Sequence, residues 1–371
     1  MRSAMASFLQ PDVAPRPASR ILIVDDSAVA RALIAGQIAG HDRFVLAGQS
    51  THVEGALGFL AQNRVDIILL DVEMPGQDGI SALPRMLAAG RGARIIIVSA
   101  STPKGGAATV QALAHGAADT LVKPLPQRLA EFGEILRHKL DALAGTGAGA
   151  GAGEGEASSS PAAVAPIAPA SARGTALPEM IGIGASTGGI HALAKLLERV
   201  PASMSVPIVV TQHLPASFMS YFAAQLAAVA RRPCDIAEDR MRLRPGRILI
   251  APGDAHVTFV GLPDGGASIR LKHDRASSGC LPSVDPMFAS MAELWGSRAW
   301  GIVLTGMGRD GMEGARVLKA AGGRIIAQDQ ASSVVWGMPG AVVRRHLADQ
   351  VLPPEAIGTM LAAGAAKAAQ P

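Results

Sequence analysis

At 371 residues, 49% hydrophobic and 17% charged, the chain has the composition of a globular protein with room for two cores. A formal charge of +4 with aromatics at only 3% leaves no basic run interleaved with aromatics, so nucleic acid is not an expected partner. Two cysteines are too few for a disulfide framework or a zinc site, and no apolar run has signal-peptide or membrane-spanning length, so a soluble cytoplasmic protein without direct membrane insertion is expected.

Residues 1–19, with several prolines and arginines, read as a disordered extension. Between 20 and 142, short apolar runs at Ile21–Val24, Phe44–Gly48, Val65–Leu70, Ile95–Val98 and Leu121–Val122 read as strands. Helical patterns alternate with them near Val29–Ala39, Val53–Gln62, Ile80–Ala89, Ala107–His115 and Gln127–Leu140. Continuous apolar strands between helices predict a doubly wound parallel sheet of flavodoxin type. Residues 143–177 are almost entirely Ala, Gly, Ser and Pro, which cannot bury enough apolar surface to offset ordering entropy. They read as a flexible tether whose core of about 33 residues has ends roughly 30 Å apart.

The alternation resumes over 178–365 and predicts a second, Rossmann-like α/β domain. Its expected strands are Met180–Ile183, Pro207–Thr211, Arg247–Ala251, Trp300–Leu304 and Gly323–Gln328. Its expected helices are Gly189–Val200, Phe218–Ala230, Val284–Trp295, Gly311–Ala321 and Met338–His346. The stretch Ala255–Leu271, with Gly-Leu-Pro-Asp-Gly-Gly inside it, reads as an inserted β-hairpin.

In open α/β sheets, functional groups gather at the carboxyl ends of strands. In the first domain those ends carry Asp25, Asp26, Asp71, Ser99 and Lys123. Three converging carboxylates repel one another unless a divalent cation neutralises them, and Mg²⁺ accepts an all-oxygen shell. A carboxylate beside such an ion can attack a phosphoryl group, with Lys123 and Ser99 stabilising the transferring oxygens.

In the second domain the strand ends carry Ser186, inside Gly-Ile-Gly-Ala-Ser-Thr-Gly-Gly, then His213, then Asp310. These are the side chains of a nucleophile, its general base and the carboxylate that orients the base. Gly306 and Gly308 flank Met307 and let backbone amides approach a reacting carbonyl. A dinucleotide site is the main competitor, but it wants an acid at the end of the next strand, where Gln212-His213 stands. The order Ser, His, Asp also differs from that of an α/β-hydrolase. A phosphorylation-controlled binding module without esterase activity is the non-enzymatic alternative.

The first domain resembles the receiver of bacterial response regulators, through Val24-Asp25-Asp26-Ser27, Leu70-Asp71-Val72-Glu73-Met74-Pro75, Val98-Ser99-Ala100 and Lys123-Pro124. The resemblance implies Asp71 as phosphoacceptor and Mg²⁺ bound by Asp26 and Asp71, with help from Asp25 and the Glu73 backbone carbonyl. Ser99 and Lys123 are then the phosphoryl contacts. Where many receivers carry a switching aromatic, this chain has Thr120.

The second domain resembles the chemotaxis protein-glutamate methylesterase family, CheB, through Ala185-Ser-Thr-Gly-Gly189, Gln212-His-Leu-Pro215, Pro282-Ser-Val-Asp285, Leu304-Thr-Gly-Met-Gly308 and Trp336-Gly-Met-Pro-Gly340. The resemblance implies Ser186 as nucleophile, His213 as base and Asp310 as orienting acid, with Thr187 in the site and the Met307 amide as oxyanion donor. It implies no cofactor in the catalytic domain. Hydrolysis of glutamate γ-methyl esters on chemoreceptors, with release of methanol, and deamidation of receptor glutamines are the implied activities. A chemotaxis histidine kinase is the implied phosphodonor, and a monomer the implied state. The unphosphorylated receiver is expected to cover the Ser186 edge.

Overall fold

The computed structural model describes residues 17–74, 79–100, 102–123, 126–144 and 177–368. Most of the expected tether and residues 1–16 of the expected extension lie outside the described residues, as do Pro75 and Pro124 of the motifs.

The first unit runs β1 (Ser19–Val24), α1 (Ala28–Ile38), β2 (Phe44–Ser50), α2 (Val53–Gln62) and β3 (Ile67–Asp71). It continues with α3 (Gly79–Ala89), β4 (Arg94–Ser99), α4 (Pro103–Ala114), β5 (Asp119–Val122) and α5 (Leu129–Ala144). All strands are parallel, in the order β2-β1-β3-β4-β5. Every residue of β3 is buried, which is why its sequence shows a continuous apolar run with no polar alternation. Two boundaries in this unit differ from expectation by more than two residues. Helix α4 starts at Pro103, ahead of Ala107, because Thr102 caps it by accepting the Gly105 amide at 3.0 Å and proline suits a first turn. Helix α5 runs on to Ala144, because Leu140 and Leu143 still bury against the sheet.

The second unit runs β6 (Met180–Ala185), α6 (Gly189–Leu197), β7 (Ile208–Gln212), α7 (Met219–Ala230), β8 (Cys234–Ile236) and β9 (Ile248–Ile250). The hairpin β10 (His256–Gly261) and β11 (Ala267–Lys272) follows, then α8 (Val284–Leu294), β12 (Ala299–Val303), α9 (Met312–Ala320) and β13 (Arg324–Gln328). The described chain ends with α10 (Met338–Arg344), β14 (Gln350–Leu352) and α11 (Pro354–Ala368). The main sheet is parallel, ordered β14-β13-β12-β6-β7-β9-β8, and the hairpin pairs antiparallel from His256↔Lys272 to Gly261↔Ala267. Three elements escape the sequence reading. Strands β8 and β14 are short, half-buried edge strands with no apolar run to mark them. Helix α11 hides in an Ala-rich tail, yet it packs on α6 and buries Ile357 and Leu361 completely.

Strand order reverses between β1 and β3 in the first sheet and between β12 and β6 in the second. Such switch points open a crevice at the carboxyl edge, because the loops on either side leave in opposite directions. Asp25 and Asp71 flank the first, while Ser186 and Met307 flank the second.

The two units are docked through α4 and the start of β5, which lie over α6, α7 and the carboxyl edge of the second sheet. The Gly188 amide donates to the Ala118 carbonyl at 2.7 Å, and Thr187 Oγ1 donates to Asp119 Oδ2 at 2.5 Å. Lys139 holds the other Asp119 oxygen at 2.7 Å, and His191 Nδ1 meets the Ala114 carbonyl at 2.8 Å. Gly106 makes the close approach of α4 possible, since a Cβ there would stand 2.7 Å from the Tyr221 ring. Gly106→Leu is therefore expected to separate the units while both sheets persist. Small-angle scattering should show a larger radius of gyration with an unchanged circular dichroism spectrum.

Candidate functional site

In the first unit, Asp71 ends β3 with no exposed surface, and Asp25 follows β1 at 1% exposure. Lys123 Nζ lies 2.7 Å from Asp71 Oδ2 and 3.1 Å from Asp25 Oδ2. Asp71 Oδ1 accepts the Glu73 amide at 2.9 Å, and Asp25 Oδ1 accepts the Ser27 amide at 2.8 Å. The contact between Lys123 and Asp25 is close enough for an ion pair but poorly directed, so Asp25 Oδ2 stays buried without a hydrogen bond. Burial raises the Asp25 pKa against the pull of Lys123 and the Ser27 amide, and the Asp71 charge adds to the rise. Burial would lower Lys123, but its bond to Asp71 and the attraction of both carboxylates outweigh this and raise it.

Exposed Asp26 completes a set whose carboxylate oxygens lie within 4.8 Å of one another. An all-oxygen cluster with an unsatisfied buried lone pair fits a hard divalent cation such as Mg²⁺. Ser99 is buried at the end of β4 with its hydroxyl on the Ala100 carbonyl at 3.0 Å. Thr120, at the switching position, is buried and its hydroxyl has no hydrogen-bond partner.

In the second unit, Ser186 leaves β6 and His213 leaves the adjacent β7, whose His213 amide donates to the Ala185 carbonyl at 3.0 Å. His213 Nε2 lies 2.8 Å from Asp310 Oδ2, so Nδ1 is the nitrogen left for another partner. Ser186 Oγ makes no hydrogen bond among the described residues, an open geometry common before substrate closes a site. Asp310 is 1% exposed, and its charge is met by the Ser283 hydroxyl at 2.6 Å, the Val284 amide at 2.8 Å and His213. Burial would raise the Asp310 pKa, but His213 and these donors outweigh it and lower it. Its neighbour Asp285 is raised by burial, opposed by the Gly314 amide and reinforced by the Asp310 charge.

Burial disfavours protonated His213, yet its bond to Asp310 and then its contact with Cys280 outweigh this, and the pKa is held up at about 9. Met307 sits on the loop after β12. Gly306 lets that loop close on the nucleophile, since a Cβ there would stand 2.7 Å from Ser186 Cβ. The Gly306 amide is taken by Val335, whereas the Met307 amide donates to no described protein group. Thr187 is buried and turned toward Asp119 of the first unit. A cavity of about 10 Å³ lies between the units, lined by Ser186 and His213 on one side and Leu113, Ala118 and Asp119 on the other. That is room for about one water.

The dinucleotide alternative finds little support at this edge. Gln212 Nε2 donates to the Ser186 carbonyl at 2.9 Å, in the place where a ribose-binding acid would be needed. The sequence reading did not single out Asp119, Cys280 or Ser283. Only Ser283 left a signal, through its place in the Pro282-Ser-Val-Asp285 motif.

Folded His213 is held up at about 9, against about 6.5 for an unperturbed histidine, so its pairing stabilises the fold fully below about 6.5 and this is lost as pH rises through about 9. Asp310 is lowered, so its contribution is present above the usual carboxylate range and is lost as pH falls below it. Asp310→Asn should therefore lower the melting temperature most between about pH 4.5 and 6.5, and the gap to wild type should narrow by about pH 10. Thermal melts across pH check this.

Residues 21–131 match the response regulator receiver domain and residues 181–361 match the CheB methylesterase family. The chain is 42% identical to a protein-glutamate methylesterase/protein-glutamine glutaminase of Maricaulis maris, over 93% of this chain and 95% of that one. It is 39% identical to a second such enzyme, from Caulobacter vibrioides, over 93% and 99% respectively. The Thermotoga maritima CheB methylesterase catalytic domain aligns with 50% of the chain and 97% of its own length, at 35% identity and a TM-score of 0.48. With a receiver at one end, a Ser-His-Asp edge at the other and similarity along nearly its whole length, the chain belongs to the protein-glutamate methylesterase/protein-glutamine glutaminase family of response regulators.

Proposed function

We propose that the chain is a phosphorylation-activated serine hydrolase that removes γ-methyl esters from glutamates of chemoreceptors, releasing methanol, and deamidates receptor glutamines. The carrying observation is the His213–Asp310 pair, 2.8 Å long and part-buried beside Ser186 at the switch point of a parallel sheet. Among the described residues no helix is long and apolar enough to cross a membrane.

Ser186 Oγ attacks the ester carbonyl as His213 takes its proton at Nδ1, the nitrogen not engaged by Asp310. Asp310 holds the ring and offsets the charge of the imidazolium. The Met307 amide, free of protein acceptors, receives the oxyanion. His213 then gives the proton to leaving methoxide, and water resolves the acyl-enzyme by the same route in reverse.

Control lies in the docked receiver, whose Asp119 and Ala118 occupy Thr187 and the Gly188 amide beside the nucleophile. A histidine kinase of the chemotaxis type supplies the phosphoryl group to Asp71. Asp25, Asp26 and Asp71, with the Glu73 carbonyl, are the groups that would hold Mg²⁺, which would neutralise charge around the incoming phosphate. Lys123 leaves its bridge between Asp25 and Asp71 to meet the new oxygens, and Ser99 turns its hydroxyl from Ala100 toward them. A change of about 3 kcal/mol in docking alters the open-to-closed ratio by more than a hundredfold.

Methanol release from methylated receptor tests this directly. Ser186→Ala should lose at least about a thousandfold in rate. Asp71→Asn should keep the basal rate yet ignore a phosphodonor, and a normal response from it would sink the gating reading. Because only unprotonated His213 serves as base, kcat/KM should rise about tenfold per pH unit below about 9 and level off above it. A flat profile from pH 6 to 9 would overturn the claim that the bond to Asp310 keeps His213 protonated through neutral pH in the active enzyme.

A further inference from the structure

We infer that Ser283 and His256 are positioning residues of the hydrolytic centre, through which the β10–β11 hairpin holds the Asp310 carboxylate in the orientation that serves His213. The inference rests on the Ser-His-Asp reading above and names residues outside that triad.

The bonds run in one direction. Asp310 Oδ2 is shared by His213 Nε2 and the Val284 amide, each at 2.8 Å, while Oδ1 accepts the Ser283 hydroxyl at 2.6 Å. Ser283 Oγ itself accepts from the Ser278 hydroxyl at 3.1 Å and from the Asp285 amide at 3.3 Å. With both acceptor positions filled, its single proton is committed to Asp310.

The Ser283 backbone is held in turn. Its amide donates to His256 Nδ1 at 2.8 Å. An imidazole that accepts at Nδ1 carries its proton at Nε2, and His256 Nε2 meets the Asp274 carbonyl at 2.7 Å. His256 is the first residue of β10 and Asp274 lies just beyond the end of β11, so both strands at the base of the hairpin grip this loop. His256, Ser283 and Asp310 are all 1% exposed or less, which shields these bonds from competing water.

A simpler role for Ser283 is to cap α8, but a cap needs only its oxygen as acceptor of the Asp285 amide. The short bond that donates its proton to Asp310 is outside that role. Without it the carboxylate can turn about its last torsion and carry Oδ2 away from His213, which is a loss in the chemical step and not in substrate binding.

Methanol release by the full-length, phosphodonor-activated protein tests the inference with Ser283→Thr, Ser283→Val and Ser283→Ala. Thr and Val share a shape and differ in the hydroxyl. Val and Ala should lower kcat at least about tenfold with KM within about twofold, and Thr should recover most of kcat. The double variant Ser283→Val with His256→Leu should be little worse than the poorer single variant, because both act through one carboxylate. Equal kcat for Val and Thr, or a loss confined to KM, would overturn the inference. If Val does not fold, Ala against Thr decides the same question. A Ser186→Ala control separates the two readings: activity surviving there defeats the hydrolase itself, whereas an inactive control with Val equal to Thr defeats only the positioning role.

Discussion

A carboxylate at 1% exposure is the constraint around which the hydrolytic half is arranged. An ionised Asp310 in that position would cost several kcal/mol without partners, and removing one partner of such a buried pair typically costs about 3–5 kcal/mol. The chain meets the need from separate elements: His213 after β7, and Ser283 and the Val284 amide at the start of α8. Satisfying one charge therefore fixes where those segments meet, and the crevice beside Ser186 follows from that. The receiver solves a related problem differently. Asp25 and Asp71 share Lys123, which leaves an oxygen of Asp25 unsatisfied, as befits a site that must accept new ligands.

Much of this was legible in the sequence because parallel sheets concentrate chemistry at strand ends. The apolar run before Asp71 marks a strand buried on both faces, and the residue that follows such a run falls at the carboxyl edge. The same logic places Ser186 and His213 on neighbouring strands, although the sequence separates them. It fails where position depends on something other than periodicity. Asp119 looks like the polar start of a short strand, and its importance comes from Thr187 across the junction between units. His256 looks like one residue of a hairpin, and only the folded loop shows that its ring receives the Ser283 amide. Strands β8 and β14 and helix α11 were missed because edge strands of three residues and Ala-rich helices carry too little pattern.

The missing switching aromatic at Thr120 is partly answered by its neighbour. β5 opens with Asp119, which joins Lys139 on the receiver to Thr187 on the hydrolase, and four residues later the same segment supplies Lys123 to Asp71. The residue that reaches Asp71 and the docking carboxylate thus stand on one short segment. No aromatic rotation is needed for the two to be mechanically connected.

The bond between Thr187 and Asp119 also bears on how the enzyme reads its surroundings. The receiver lies over the crevice that the proposed function assigns to substrate, so on that reading each excludes the other and linkage is reciprocal. While the docked form dominates, whatever weakens receiver docking tightens apparent substrate binding by the same factor, and abundant substrate must favour the undocked form. On the function proposed above, crowded methylated receptors would lower the phosphorylation needed for a given output, and the set point of the switch would belong to the kinase and the substrate array together.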